Sequence, residues 1–401
     1  MRYCKKCIMP DTRPEQVFDK EGVCDACRSA EKKHKEIDWQ KRRNELEQIL
    51  AQYRNKEGKW WDCIIPVSGG KDSCYQAYTM KYEFGMNPLC VNFVPCEMTE
   101  VGLKNILFLR ELGFDLVQVA PNRKVFREMV RRGFFDLGDC CWAEHVGLFT
   151  VPPRVAVQYK VPLLIWGENS QFEYGGPASK RENNYIDRNW LEQFQMYGYR
   201  ISDLYEHGGL QNKELLVFDY PSDKELKGAG VTGLFLGYYV KWDSLEHAEM
   251  MKKMGWNVNP DGPVEGAYYD FENLDCKWVA GLHDYMKFLK YGYGRATDQL
   301  CLEIRAGRMT REAAIRRVKD YEGKLPCKYL PDFLSFTGIS EEEFFKTLDR
   351  FTNRKIFLTD KNGNFVRDKF KEVIKIDYGY QSEDRQYSQP EPCAEISKGP
   401  A

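Results

Sequence analysis

The run Ser68-Gly69-Gly70-Lys71-Asp72-Ser73 combines the groups that hold a pyrophosphate. Paired glycines let the backbone turn tightly enough to aim its N–H groups at phosphate oxygens. The hydroxyls of Ser68 and Ser73 can orient the phosphates, and Lys71 adds positive charge. Asp72 is the odd member: a carboxylate beside phosphates makes sense when it acts through Mg2+ and not as a general base. Lys71, Asp72 and Ser73 are therefore the candidate catalytic residues, within a nucleotide-binding loop spanning 68–73. The alternative is an ordinary glycine-rich turn between a strand and a helix.

A second constellation is Cys4-Lys5-Lys6-Cys7 with Cys24-Asp25-Ala26-Cys27. Each CxxC pair turns back on itself and presents two thiolates. Four thiolates in tetrahedral array suit Zn2+ and leave no open coordination position, so the site reads as structural. An iron–sulfur cluster or free thiols are the alternatives. Asp139-Cys140-Cys141-Trp142, with His145 nearby, reads as packing, because adjacent cysteines chelate one ion poorly. His207, His247 and His283 stand isolated and are given no role.

These residues need elements to position them. Cys63–Val67 is apolar and precedes the loop, so it predicts a strand, with a helix over Ser73–Phe84. Further strands are expected at Pro88–Val94, Phe114–Ala120 and Val161–Trp166. Helices are expected at Thr99–Leu112, capped by Thr99, at Arg123–Phe135, and at Trp142–Tyr159, where Pro152-Pro153 should kink or break the chain. Apolar strands alternating with helices imply an α/β fold, a parallel sheet with helices on both faces. Ligands bind such sheets at the carboxyl ends of the strands. That places Asn92 and Gly167-Glu168-Asn169 around the same crevice as the loop, as further nucleotide-side candidates.

The remaining chain divides by pattern. Residues 1–29 form the expected zinc knuckle, and 30–60 a connecting helix with its helical stretch over Ala30–Tyr53. Residues 61–170 form the α/β core, 171–270 a loop-rich substrate or partner region, 271–380 a mostly helical C-terminal region, and 381–401 a polar disordered tail. Helices are expected over Leu245–Met254, Asp275–Lys290, 291–306, Thr310–Tyr321 and Ser340–Phe351. Ser340 and Glu343 make a capping box for the last of these.

With 401 residues, 43% of them hydrophobic, the chain can bury a sizeable core. A net charge of −1 argues against a general nucleic-acid binder. No apolar run is long enough to span a membrane, and the start Met1-Arg2-Tyr3-Cys4 carries no apolar signal region, so a cytoplasmic location is expected. Fourteen cysteines in such a setting favour metal binding and reduced thiols over disulfides.

SGGKDS behind a strand resembles the loop of the PP-loop ATP pyrophosphatases, which adenylate an oxygen with ATP and release pyrophosphate. It is not the GxxxxGK[ST] loop of kinases and GTPases, a string absent here. Together with Tyr-Cys-x-x-Cys-x-Met-Pro over Tyr3–Pro10 and a late Tyr-Gly-Arg-Ala-Thr-Asp-Gln over Tyr293–Gln299, the chain resembles the N-acetyl sugar amidotransferases of the WbpG and PseA kind up to about Phe370. The resemblance implies an adenine nucleotide α-hydrolase-like fold, with ATP, Mg2+ and Zn2+ as cofactors. It implies conversion of an acetamido group on a nucleotide-linked sugar to an acetamidino group. Gly294, Arg295, Thr297 and Asp298 become candidates for the sugar side of the site. The alternative there is a helix start with Thr297 or Asp298 capping it.

Amidination needs ammonia. The chain shows no Gly-flanked catalytic cysteine and no N-terminal cysteine, so glutamine hydrolysis is expected in a partner. The resemblance implies separate subunits like the glutaminase and ammonia-conducting subunits of imidazole glycerol phosphate synthase, and the aromatic-rich stretch Ser170–Asn259 is the candidate surface for them. Neither a nucleic acid nor a membrane is expected as partner. A tRNA-thiolating PP-loop enzyme is the rival reading, and a zinc-knuckle interaction protein with a degenerate nucleotide domain is another.

Overall fold

Successive residues of each central strand point to opposite faces of one sheet, and each face has its own core. Ile64, Leu89, Val91, Leu164 and Trp166 belong to one cluster of buried side chains. Their chain neighbours Cys63, Ile65, Cys90, Leu163 and Ile165 belong to another. Strands buried on both faces need helices on both faces. A computed structural model describes residues 1–55, 57–186 and 212–376 and shows that arrangement. The expected tail over 381–401 lies outside the described residues, as do His207 and the rest of 187–211.

Two helices lead in, α1 (Asp25–Lys35) and α2 (Trp39–Tyr53). One continuous helix was expected here; the chain instead breaks at 36–38, where the Asp38 side chain accepts from Lys41 N–H and caps α2. The core then runs β1 (Cys63–Pro66), α3 (Lys71–Tyr78), β2 (Pro88–Phe93), α4 (Glu100–Glu111), β3 (Asp115–Val119), α5 (Arg123–Arg132), α6 (Trp142–Tyr159) and β4 (Leu163–Trp166). Thr99 caps α4 as expected, accepting from Gly102 N–H. α6 runs through Pro152 and Pro153 without a break. Both prolines are buried in the packed helix, so tertiary contacts hold a segment that local propensity would interrupt.

α7 (Ser170–Tyr174) follows, then β5 (Tyr185–Ile186) and β6 (Thr232–Phe235). The strand order is β3-β2-β1-β4-β6-β5. The first five of these strands are mutually parallel, and β5 joins the edge antiparallel through Tyr185 opposite Leu234. The sheet therefore extends beyond residue 170, where the alternation of strand and helix was read as ending. β6 reads Thr-Gly-Leu-Phe, too short and too interrupted by glycine to announce itself. Because β1 is followed by β2 on one side and neighboured by β4 on the other, the chain reverses its winding direction between β1 and β4. Ligands of open α/β sheets bind at that reversal.

The later helices are α8 (Ser244–Lys253), α9 (Asp284–Tyr291), α10 (Arg295–Arg305), α11 (Arg311–Tyr321), α12 (Leu330–Thr337) and α13 (Glu341–Phe351). Ser340 and Glu343 form the full capping box of α13. α2, α3, α4 and α8 cover one face of the sheet. α5, α6 and residues of α9, α12 and α13 share the core of the other. α10 and α11 leave the sheet and pack with the N-terminal cysteines in a separate cluster. No helix among the described residues is long and apolar enough to cross a membrane.

Candidate active site

β1 ends at Pro66, and 67–70 turn the chain into α3. Gly69 sits at φ +84°, and a Cβ there would lie 3.1 Å from Ile106 N, so this position requires glycine. The two serines hold the turn together. Ser68 N–H donates to Ser73 Oγ at 3.3 Å, Ser73 Oγ–H donates to Gly70 C=O at 3.0 Å, and Gly70 N–H donates to Ser68 Oγ at 3.3 Å. Trp256 Nε1–H fixes the Gly69 carbonyl at 2.8 Å. A turn held this rigidly ahead of a helix N-terminus presents a fixed positive field to whatever occupies the cavity in front of it.

That cavity measures about 460 Å3 and opens at the carboxyl ends of β1, β2 and β4. Ser68, Gly70, Lys71, Asp72, Ser73, Gly167, Glu168 and Arg295 line it. Lys71 is buried, and its Nζ bridges Asp72 Oδ2 at 3.0 Å and Glu272 Oε1 at 2.7 Å. Burial opposes its charge, but the two carboxylates outweigh that and hold it above the usual lysine range. Asp72 is also opposed by burial. Lys71 and a 2.8 Å contact from His247 Nδ1 keep its carboxyl well below the ordinary range. Asp72 and Glu272 thus place carboxylate oxygens together beside the loop, a donor set that suits a hard divalent cation.

His247, given no role from the sequence, is the orienting partner of Asp72. Its Nε2 accepts Asp243 N–H at 3.4 Å, so Nδ1 carries the proton and donates to the carboxylate. The ring stacks on Tyr75, centroids 3.7 Å apart. His283 is also engaged, with Nδ1 2.9 Å from Asp139 Oδ1. On the opposite wall stand Glu144 and His145. Burial, reinforced by the charge of Asp275, pushes the Glu144 carboxyl up to about 8. Burial lowers the His145 imidazole to about 4, so it is neutral at physiological pH. Glu168 is raised to about 7 by burial and then by the charge of Asp72. The crevice therefore offers proton-exchanging carboxyls on two sides. Glu272, His247, Glu144, His145 and Trp256 were not singled out as site residues, because no local motif marks them.

The other sequence candidates turn inward. Asn92 donates to Val67 C=O at 2.8 Å and accepts from Gln118 at 3.0 Å, pinning strand ends. Asn169 caps α7 through Gln171 N–H at 3.0 Å and donates to Lys180 C=O at 2.8 Å. Of the four residues expected on the sugar side, Arg295 alone lines the crevice, with Nε donating to Asp284 Oδ2 at 3.0 Å. Thr297 Oγ–H donates to Glu322 Oε2 at 2.6 Å, and Gly294 N–H donates to the same carboxylate. Asp298 accepts from Lys287 Nζ at 2.7 Å and faces Arg13 at 3.7 Å. These three build the start of α10 and do not line the cavity.

The cysteines converge. The sulfurs of Cys4, Cys7, Cys24 and Cys27 all lie within 4.8 Å of one another. Cys7 and Cys24 are 3.6 Å apart and Cys4 and Cys27 3.9 Å, against about 3.8 Å for sulfurs at tetrahedral Zn–S distances. Backbone N–H groups of Lys6 and Cys24 point at Cys4 Sγ at 3.4 and 3.2 Å. The set fits a zinc ion. Arg305 at the far end of α10 reaches Cys7 Sγ at 3.7 Å and Cys24 Sγ at 3.9 Å, a counter-charge for four thiolates around a dication. Arg311 Nε donates to the carbonyls of Cys4 and Cys7 at 3.2 and 3.1 Å. Asp139, Cys140 and Cys141 also lie close together, but Cys140 and Cys141 belong to the apolar core and Asp139 is engaged by His283 and Cys141 N–H.

Residues 265–372 match the family described as LPS biosynthesis protein WbpG-like, C-terminal domain. That stretch supplies Phe271, Glu272 and Arg295 to the crevice, along with the helices that brace the cysteine cluster. The chain is also 31% identical over 135 residues to an uncharacterized protein of Methanocaldococcus jannaschii, MJ1599. That match covers 32% of this chain and spans about half, 47%, of the relative's length.

Proposed function

We propose that this chain is an ATP-dependent amidotransferase. It converts an acetamido group of a nucleotide-activated sugar to an acetamidino group, in the biosynthesis of a bacterial surface polysaccharide or nonulosonic acid. One observation carries this reading: the Ser68–Ser73 turn opens onto a cavity lined in part by the stretch similar to a WbpG-like C-terminal domain.

The acetamido oxygen attacks the α-phosphorus of ATP, the bond to the β-phosphate breaks, and pyrophosphate leaves. Ammonia then adds to the activated carbon, the carbon–oxygen bond breaks, and AMP departs with the original carbonyl oxygen. The nitrogen sheds a proton. The turn N–H groups, the α3 N-terminus and Lys71 stabilise charge on the departing pyrophosphate. Asp72 and Glu272 would hold Mg2+, which would supply further neutralisation there. His247 keeps Asp72 ionised and oriented. Glu168, with its carboxyl near 7, takes the proton that nitrogen releases. Glu144, protonated at neutral pH, donates a hydrogen bond across the cavity. Ammonia comes from a separate glutaminase through an ammonia-conducting subunit.

The tRNA-thiolation alternative needs a reactive cysteine at the crevice. Among the described residues that line it there is none, which favours amidination. The test is an amidination assay with a panel of nucleotide-linked N-acetyl sugars, ATP, Mg2+ and ammonium. A product one mass unit lighter with stoichiometric AMP is the expected result. AMP release dependent on tRNA and indifferent to every sugar would overturn it.

A further inference from the structure

The crevice wall made by Gly167, Glu168 and Ser170 runs straight into α7. On the sheet side, Gly237 N–H donates to Gly167 C=O at 3.1 Å. Asn169 then turns the chain into α7 by accepting Gln171 N–H. α7 is five residues long, too short to hold its place by its own hydrogen bonds. Tertiary contacts have to fix it, and a set of them comes from the cysteine knuckle.

Three contacts join the knuckle to α7 and its exit. The first runs through α1, which starts inside the second CxxC pair and carries Lys33. Lys33 Nζ donates to both carboxylate oxygens of Glu173, at 2.6 and 2.7 Å. The two side chains are only 8% and 10% exposed. In so dry a site each charge needs the other, and a two-pronged contact fixes direction as well as distance. The second runs through Arg305. One of its nitrogens faces the sulfurs of Cys7 and Cys24, and another donates to Glu173 C=O at 3.1 Å. The third is Asp25, between the cysteines of the second pair, which accepts Gly176 N–H at 3.0 Å. Gly175 makes that approach possible. It sits at φ +97°, and a Cβ there would lie 2.8 Å from Asp25 Oδ1.

We infer that the cysteine knuckle positions the Gly167–Ser170 wall of the crevice, with Lys33 as the positioning residue that acts through Glu173 and α7. This rests on the reading of the crevice as an ATP site and adds what keeps its second wall in place. A wall already in place costs nothing to order when the nucleotide arrives. A loose one lowers the apparent affinity by the fraction of time it spends in place.

Variants of the metal-replete full chain test it. Lys33→Met combined with Glu173→Gln removes both charges together at similar volume, a change that folds often tolerate. Glu173→Gln alone stands in should the pair fail to fold, with a smaller loss in the same direction. Lys33→Arg keeps the charge and can grip the carboxylate with two N–H groups. Thermal midpoint and zinc content are checked first. Binding of α,β-methylene-ATP with Mg2+ is then measured by calorimetry, and amide hydrogen exchange is followed over 167–174 and over 68–73. The double variant should bind the analogue about tenfold more weakly, as for a wall in place about a tenth of the time. Its exchange should quicken over 167–174 and not over 68–73. Lys33→Arg should stay within about threefold of wild-type affinity.

Wild-type affinity in the double variant overturns the inference alone, because the contact then serves only the fold. Exchange that is unchanged over 167–174, or faster over both segments, overturns it too, since the effect then travels by another route. Lys33→Arg binding no better than the double variant makes the effect one of packing and has the same consequence. An analogue that binds neither wild type nor any variant overturns the ATP reading and this inference with it.

Discussion

Two strings in this chain look alike on paper. Ser68–Ser73 and Gly294–Asp298 each pair glycine with charged and hydroxyl side chains at the start of a helix. The fold uses them differently. The first opens onto a cavity, and its charged residues meet partners from distant segments, Glu272 and His247, at the cavity wall. The second folds its hydroxyl and carboxylate into the protein, against Glu322, Lys287 and Arg13, and leaves Arg295 facing out. A motif does chemistry only where the surrounding elements leave its polar atoms something other than each other to bind.

The largest expected effect sets the two strings against each other. Asp72→Ala should cut AMP formation by about 10³-fold or more, with a thermal midpoint within a few degrees of wild type. Comparable AMP release would remove the crevice from the mechanism. Asp298→Ala should do the reverse in kind. It removes the closer of the two carboxylates around buried Lys287, leaving Asp284 at 3.2 Å, at a stability cost of about 2 kcal/mol. Urea denaturation measures that cost, and an unchanged midpoint would show that this string is not structural.

The cysteine cluster sharpens the same contrast. Elemental analysis of the wild-type protein should find one equivalent of zinc, and replacing Cys4 and Cys7 together by serine should remove it. It should also loosen α10, because Arg305 and Arg311 lose the cluster they brace. Iron with acid-labile sulfide in the wild-type protein would contradict the assignment.

A smaller effect is expected at Arg295, the residue of the second string that does face out. Arg295→Lys should raise KM for the sugar nucleotide about tenfold, about 1.4 kcal/mol, and that for ATP much less, since lysine keeps the charge and loses the planar fork. Equal changes would make Arg295 a brace for Asp284 and nothing more.

The smallest concerns Glu144. Its carboxyl stands near 8 in the fold and near 4.5 when free. The folded state therefore holds a proton that the unfolded chain releases between those values. Its contribution to stability is full below about pH 4.5 and is lost as pH rises through 8. Glu144→Gln should gain on wild type in thermal midpoint as pH climbs from 5 to 9. A constant difference across that range would show that the carboxyl is ionised throughout.

Much of the fold was legible because its signals are local. The first four strands announce themselves as apolar runs, and Thr99, Thr310 and Ser340 each cap the helix expected after them. β6 was not legible, being short and glycine-broken, and the continuity of α6 through two prolines depends on packing that no local rule contains. The loop itself was legible as a string. Its partners were not: His247 lies 175 residues from Asp72 and carries no motif, and Glu272 is one acidic residue among 60. Asn92 and Asn169 were placed near the right strand ends, but their side chains close hydrogen bonds of the scaffold itself.

The cysteine knuckle also clasps distant parts of the sequence. Thr12 donates to Tyr291 C=O, Arg13 reaches Tyr293, and α10 and α11 close over the sulfurs. On the ribosome those partners emerge roughly 270 residues after the cysteines, on the order of 10 to 60 s at ordinary rates of synthesis. For that interval the sulfurs lack the cover of α10 and α11, and a bound ion is what would hold them in register. Metal loading therefore belongs to the chain's biogenesis. Were the ion zinc, a cell short of it would lose this protein at synthesis, as a chain that never closes, before any finished copy lost its metal.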